Sequence, residues 1–266
     1  MISSSSNILI LSLNNIAIQA GKIIMRYYKN LQEVSLKDDQ SPLTEADLAS
    51  NSFIMKELKN IDHSVQILSE ETLVGWSERK NWNTYWLVDP LDGTKEFINR
   101  NGEFTVNIAL IENNTPILGV IYAPALSVLY YGSKNNGSFK TTCDAKIDSL
   151  SNFIQIKTNE KKDSDHFQVF ESRSHSNQEF TSWVKNNVHS YDLIKRGSSI
   201  KFCEIAEGKA DLYPRFGPTS EWDIAAGHII LTEAGGEIKN VNQNKLKYNL
   251  KESLINPHFI ASCKYI

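Results

Sequence analysis

An α+β first half followed by an α/β second half is the fold class that the sequence predicts, and three observations predict it. Apolar residues recur at helical spacing in two early segments, a series of short apolar runs follows, and the remainder alternates strand-like with helix-like stretches.

The first helix is read from Leu9, Leu13, Ile16, Ala20, Ile23 and Tyr27, which recur at steps of three and four, with Ser6 or Asn7 as the expected N-cap. A second lies in "SPLTEADLASNSFIMKELKN", with Leu48, Phe53, Ile54 and Leu58 on its apolar face and Asp47 near its start. The runs at 65–68, 85–89, 104–111, 116–124 and 127–133 then predict a largely antiparallel sheet, with Asn135-Asn136-Gly137 as a turn signal. The lysine-rich stretch from Lys157 to Asp165 is the expected boundary, giving halves 1–155 and 156–266. Beyond it the pattern reads strand (167–174), helix ("QEFTSWVKNNV"), strand, Gly-Ser-Ser turn, helix, strand, and a last helix in "EWDIAAGHIILTEAGGEI" that stops at Gly235-Gly236.

At 266 residues with 41% hydrophobic side chains, the chain has material for a real core. A net charge of -3 argues against nonspecific nucleic-acid binding, so an anionic ligand would have to be caught locally. Cys143, Cys203 and Cys263 are odd in number and widely spaced, which points to free thiols and a cytoplasmic setting. Asn14, Asn15, Gln19 and Lys22 interrupt the apolar N-terminal stretch, so no membrane span is expected, and the run of serines lacks the positive start of a signal peptide.

The chemistry is concentrated in "YWLVDPLDGTKEF". Taken alone, D-P-L-D-G is a turn, because Pro fixes φ, Asp bonds local backbone and Gly accepts positive φ. Here it follows the apolar run Trp86-Leu87-Val88, so Asp89 and Asp92 would project from the carboxyl end of a buried strand. "QILSEE" places Glu70 and Glu71 after another strand, and "TSEWDIAAGH" places Asp223 at a helix start, where an Asp is otherwise an N-cap. Carboxylates gathered in one cleft repel, so a positive group must sit among them. All-oxygen donors select a hard cation such as Mg²⁺, and none of the six histidines has zinc-motif spacing. Clustered magnesium activates water and neutralises a transferring phosphoryl group, which the N–H groups of Gly93 and Thr94 would also cradle.

In this order and spacing, "SEE", "WLVDPLDGTKEF" and "EWDIAAGHIILTEAGG" resemble the inositol-monophosphatase superfamily of magnesium-dependent, lithium-sensitive phosphatases. "DPLDGTKEFINRNGEFTVNIALI", "PILGVIYAP" and "GSSIKFCEIAEGKADLYPRFGPT" look like its bacterial 3'(2'),5'-bisphosphate nucleotidase branch, and the resemblance covers nearly the whole chain. It implies a layered α-β-α-β-α sandwich. It also implies metal ligation by Glu70, Asp89, the Leu91 carbonyl, Asp92 and Asp223, with Glu71 as the alternative to Glu70, and a proton-accepting pair of Thr94 and Asp47.

The implied substrate is adenosine 3',5'-bisphosphate, its 2',5' isomer or the sulfated form. Its release of AMP (or of adenosine 5'-phosphosulfate) clears a by-product of sulfate activation. Glu70, Leu91, Asp92, Gly93, Thr94 and Asp223 would contact the phosphate lost. Ser198, Lys201 and Arg215 rank first for the rest of the nucleotide, ahead of Arg173 and Arg196. Family members are cytoplasmic or peripheral on the inner membrane face, and often homodimers. The rivals are an inositol or sugar-phosphate phosphatase of the same fold, and a nucleotide sensor that does not hydrolyse.

Overall fold

The computed structural model describes residues 4–29, 34–36, 42–143, 145–174 and 177–265. In chain order the elements are α1 (Ser4–Lys29), β1 (Val34–Leu36), β2 (Pro42–Thr44), α2 (Glu45–Ile61), β3 (Gln66–Ser69), α3 (Trp76–Arg79), β4 (Thr84–Asp92) and α4 (Thr94–Ile98). They continue as β5 (Thr105–Glu112), β6 (Thr115–Ala123), β7 (Val128–Ser133), β8 (Gly137–Thr142), β9 (Ile154–Ile156), β10 (Glu160–Lys161) and β11 (Phe167–Ser172). The rest are α5 (Gln178–Asn187), β12 (Tyr191–Arg196), α6 (Ile200–Ala206), β13 (Leu212–Arg215), α7 (Glu221–Glu233), β14 (Glu237–Asn240), β15 (Phe259–Ser262) and β16 (Lys264–Tyr265).

Strands β3 to β9 form one sheet in sequence order, antiparallel except for the parallel pair β3 and β4. This is the antiparallel sheet expected of the first half, and the turn at Asn135 to Gly137 takes the positive φ values that its residues favour. The second sheet runs β12-β11-β13-β15-β14. Its β11, β12 and β13 are parallel, as alternation with helices predicts, but β14 and β15 add antiparallel pairs that the sequence reading missed.

Three apolar clusters hold five layers together. Helices α1 and α2 cover one face of the first sheet, through a core that includes Leu13, Ile24, Ile54, Trp86 and Val120. Helices α6 and α7 lie between the two sheets, where Phe202, Ile224, Ile230, Tyr130 and Phe259 meet. Helix α5 closes the far face, with Phe180 and Val184 against Val169 and Leu212. The result is the α-β-α-β-α sandwich that the resemblance implies.

Two details of the helices depart from the sequence reading. The buried stripe of α1 is centred on Ile10, Leu13, Ala17, Ala20 and Ile24, while Leu9, Ile23 and Tyr27 are half-buried flanks, and the helix begins before Ser6 and Asn7. On α2, Leu48 is 46% exposed and Ala46, Asp47 and Ser50 face inward in its place, because the carboxylate cluster rather than the apolar core lies beneath the first turn. By length and composition Ser6–Lys29 is apolar enough to cross a membrane, but half of the stretch is buried inside the fold. That is the burial expected of a core helix.

Helix α7 rests unusually close on the sheet. A Cβ at Gly119 would lie 2.7 Å from the Ala226 carbonyl oxygen, and one at Gly132 would lie 2.7 Å from the Ile230 Cα. Glycine at both positions lets the backbones touch. The contact fixes the height of α7, and with it Asp223.

Candidate active site

Strands β3 and β4 are parallel neighbours, so their carboxyl ends lie side by side and deliver Glu70 and Asp89 together. The Glu70 N–H donates to the Val88 carbonyl at 3.2 Å, which extends that pairing to Glu70 itself. Between Asp89 and Asp92 the pairing with β5 shifts register, since Asp89 faces Asn107 while Asp92 faces Thr105. Pro90, which has no N–H, sits inside this bulge, and its carbonyl accepts from Ser50 Oγ at 2.9 Å. The bulge turns Asp92 toward the mouth of the site and leaves Asp89 beneath it, only 1% exposed.

Gly93 follows with φ of +90°, a backbone that strongly favours glycine, and starts α4. From the other side of the site, Ser220 caps α7 in a capping box with Asp223, whose Oδ2 accepts from the Ser220 N–H at 2.9 Å. The N-cap that the sequence allows at Asp223 is therefore Ser220 instead; Asp223 stands three residues on, accepts from the N-cap N–H, and lines the cleft.

That cleft is about 310 Å³ and is lined by Glu70, Asp92, Thr94, Ser198, Lys201, Tyr213, Arg215 and Asp223, among others. Asp89 lies under it. Burial pushes the Asp89 carboxyl well above its ordinary range, and the negative charges of Glu70, Asp92, Asp223 and Asp47 push it further. Asp223 is raised in the same way, by burial and then by Asp92 and Glu70. Asp92 is raised by burial too, with Lys201 and the Ser199 N–H opposing. Five carboxylates predicted from sequence therefore converge, and Glu70 rather than Glu71 is the member that lines the cleft.

Asp47 is fully buried at the start of α2. The Thr94 hydroxyl donates to the Leu91 carbonyl at 3.4 Å, so the two groups named for the metal and the proton lie together.

The donor set fits a hard divalent cation in chemistry and in charge, since all its donors are oxygens and its carboxylates raise one another's pKa for want of positive charge. The side chains are not closed around a common point. Among the described residues no three His, Cys, Asp or Glu groups stand close enough to hold one ion. Local backbone donors hold several of the oxygens: Leu91 N–H reaches Asp89 Oδ1 at 3.1 Å, and Ser199 N–H reaches Asp92 Oδ2. Bringing these carboxylates onto an ion requires side-chain rotation.

The cationic side is built by α6 and β13. Lys201 is 4% exposed, and burial pushes its ammonium down to about 8 although the Asp92 charge pulls the other way. Its Nζ donates to the Ser198 carbonyl at 2.5 Å and stands 4.8 Å from the centre of the Tyr213 ring. Arg215 donates to the Pro218 carbonyl at 2.9 Å. Arg173 and Arg196 are different. Arg173 donates to both oxygens of Glu103, at 2.8 and 2.7 Å, and Arg196 is bidentate on Glu204 and reaches Glu103 at 3.2 Å. As candidate phosphate contacts these two are therefore withdrawn, because their guanidinium groups are already satisfied by carboxylates. Sequence reasoning names Gly197-Ser198-Ser199 as backbone donors, and the Ser199 N–H does donate, though to Asp92 Oδ2; it missed Thr105 and Asn107, which have no signal beyond lying in quoted motif stretches.

The comparisons with known proteins agree with this architecture. Residues 7–263 match the inositol monophosphatase family. The chain belongs to that family. Among its relatives, the 3'(2'),5'-bisphosphate nucleotidase CysQ of Salmonella typhimurium is 44% identical over 246 residues, covering 92% of this chain and 95% of that protein. The protein of the same name from Escherichia coli strain K12 is 43% identical over 249 residues, covering 93% and 96%. The crystal structure of CysQ from Bacteroides thetaiotaomicron, described as a bacterial member of the inositol monophosphatase family, superposes with a TM-score of 0.86 at 40% identity over 97% of this chain and 98% of that one. As an inositol monophosphatase family member, the chain has its cleft where both sheets and the start of α7 meet.

Proposed function

We infer that this chain is a 3'(2'),5'-bisphosphate nucleotidase, a phosphatase that converts adenosine 3',5'-bisphosphate to AMP and inorganic phosphate. The observation that carries the reading is the identity of 43–44% to nucleotidases of that name across more than nine-tenths of both chains. The 2',5' isomer and the sulfated nucleotide belong to the same substrate class.

In the reaction water adds to the phosphorus of the 3'-phosphate, the bond from phosphorus to the ribose oxygen breaks, and that oxygen leaves as the 3'-hydroxyl of AMP with a proton taken from solvent. Glu70, Asp89, Asp92, Asp223 and the Leu91 carbonyl are the groups that would hold the metal, and we propose Mg²⁺ because every donor is oxygen. When bound, the metal supplies Lewis acidity and neutralises charge on the phosphoryl group. Thr94 and Asp47 accept the proton that the attacking water gives up, the hydroxyl passing it to the buried carboxylate. Gly93 and Thr94 present backbone N–H groups to the phosphoryl oxygens.

Lys201, Arg215 and Ser198 line the same cleft and would meet the second, 5'-phosphate. Two buried cations facing a substrate with two anionic ends favour a bisphosphate over an inositol monophosphate. The apolar stretch of lining formed by Pro218, Ile224 and Ile255 offers a surface for the base. We place the enzyme in the cytoplasm or on the inner membrane face, and take it as a homodimer, on family resemblance.

The test is phosphate release with magnesium from adenosine 3',5'-bisphosphate and from inositol monophosphate. Faster turnover of the nucleotide is expected. Faster turnover of the inositol compound would replace this reading, and nucleotide binding without magnesium-stimulated release would make the chain a sensor.

A further inference from the structure

Glu103 follows the tight turn at Gly102 and is 6% exposed, and it is not among the residues to which the resemblance gives a role. It gathers donors from the far half of the molecule. Arg173 from just beyond β11 binds both of its oxygens, Arg196 at the end of β12 adds a contact at 3.2 Å, and the Gly197 N–H donates to Oε2 at 2.7 Å. Burial alone would raise the Glu103 carboxyl, but these donors outweigh it and hold the carboxyl below its ordinary range.

The backbone that Glu103 grips is strained. Ser198 has φ of +46°, a conformation that is unfavourable for a non-glycine residue and persists only when its surroundings over-determine it. Those surroundings are specific. Ser199 N–H donates to Asp92 Oδ2, Ser199 Oγ contacts Thr105 Oγ1 at 2.8 Å and Asn107 Oδ1 at 2.8 Å, and Lys201 Nζ holds the Ser198 carbonyl. The loops are also in close contact, since a Cβ at Gly93 would lie 2.9 Å from the Glu103 carbonyl oxygen and 3.1 Å from Ser198 Cβ.

We propose that Glu103 is a positioning residue: through Arg173, Arg196 and the Gly197 N–H it locks the 197–199 loop onto the Asp92 loop, and so sets where Asp92 and Lys201 stand. A charge-assisted, multidentate contact suits this role, because it fixes geometry even where its net contribution to stability is small. Its consequence for catalysis rests on the nucleotidase reading above. The geometric claim does not.

Two measurements on Glu103→Gln and Glu103→Ala test it. The first is hydrogen–deuterium exchange of the metal-free protein, where segment 197–199 should exchange about tenfold faster or more while both sheets exchange as in the parent. The second is hydrolysis of adenosine 3',5'-bisphosphate across a magnesium titration. There kcat should fall about tenfold and half-saturating magnesium should rise severalfold, and Arg173→Ala should add little in the Glu103→Gln background.

Unchanged exchange at 197–199, or an increase shared equally by both sheets, overturns the proposal. So does lost activity with an unmoved magnesium requirement, since a merely structural role would lower the folded fraction alone. If the parent protein does not hydrolyse the nucleotide, the functional reading fails, and the exchange experiment still decides the role of Glu103.

Discussion

Replacing Gly119 by Ala should damage both stability and activity, and the structure gives the size of each effect. The new Cβ would stand 2.7 Å from the Ala226 carbonyl oxygen, 2.9 Å from the Ala226 Cα and 2.5 Å from Ile229 Cγ2. The Ile229 methyl can rotate away, but the helix backbone cannot. Restoring ordinary contact moves α7 off β6 by about 0.5–1 Å, an overpacking strain of about 1–3 kcal/mol. For a chain of this size 2 kcal/mol lowers Tm by roughly 4–8 °C. Asp223 lies one turn before Ala226 on the same helix, so it moves with the contact. A displacement near 1 Å at a reacting centre costs up to about 10²-fold in rate, and a loss of roughly 10–100-fold in kcat/KM is expected.

Gly132→Ala provides the internal comparison. Its Cβ would meet Ile230 at 2.7 Å, one turn further from Asp223, so Tm should fall as much while activity falls less. Gly75→Ala is the control, with its nearest neighbour 3.9 Å away, and it should change neither quantity by more than about 0.5 kcal/mol. Thermal unfolding and steady-state phosphate release on the three variants suffice. If Gly132→Ala harms activity more than Gly119→Ala does, or if Gly119→Ala behaves like Gly75→Ala, the idea that α7 sets the height of Asp223 is wrong.

Three further outcomes follow from the site and its surroundings. Asp92→Asn keeps an oxygen for the Ser199 N–H and removes a carboxylate that burial disfavours, so magnesium-dependent turnover should drop by about 10²-fold or more with Tm essentially held; retained turnover would exclude Asp92 as a ligand. Arg215→Ala should raise KM for the bisphosphate about tenfold and for a nucleoside monophosphate far less, and equal effects would remove it from the second-phosphate site. His228, buried beside the Tyr248 hydroxyl at 2.9 Å, is pushed by burial from 6.5 down to about 4. Its neutral form is the folded one, so its stabilisation is complete above pH 6.5, fades as pH falls and levels off below about 4, a span of about 3 kcal/mol. Urea unfolding of the parent and of His228→Gln between pH 7 and 4 should diverge by that slope, and parallel curves would contradict it.

What the sequence revealed depended on how local each signal was. Periodicity placed β3 to β7 of the first sheet, though not its β8 and β9, and the helices of the second half, because burial on one face imposes that spacing directly. It mislocated the inward face of α2, where Leu48 is exposed and Asp47 buried, since there polar chemistry displaces the apolar stripe. The strands β14, β15 and β16 escaped notice because they are short and their pairing partners are remote in sequence. The carboxylates at 70, 89, 92 and 223 were legible because each sits at the end of a recognisable element.

The basic residues show what such reading draws on. Arg173, Arg196, Lys201 and Arg215 are alike as charges in a sequence, and only the family resemblance ranks Lys201 and Arg215 ahead of the other two. Which of them meets a ligand depends on whether an internal carboxylate claims it first. Glu103 and Glu204 claim Arg173 and Arg196, whereas Lys201 and Arg215 are held through backbone carbonyls and both line the cleft. Lys201 and Arg215 act electrostatically on Asp92 and Asp223 in that cleft, so their charges sit where a phosphate would be bound. The cation pair proposed for the second phosphate is therefore defined as much by the acidic residues of the neighbouring loop as by the basic residues themselves, and substitutions at Glu103 should alter specificity as well as rate.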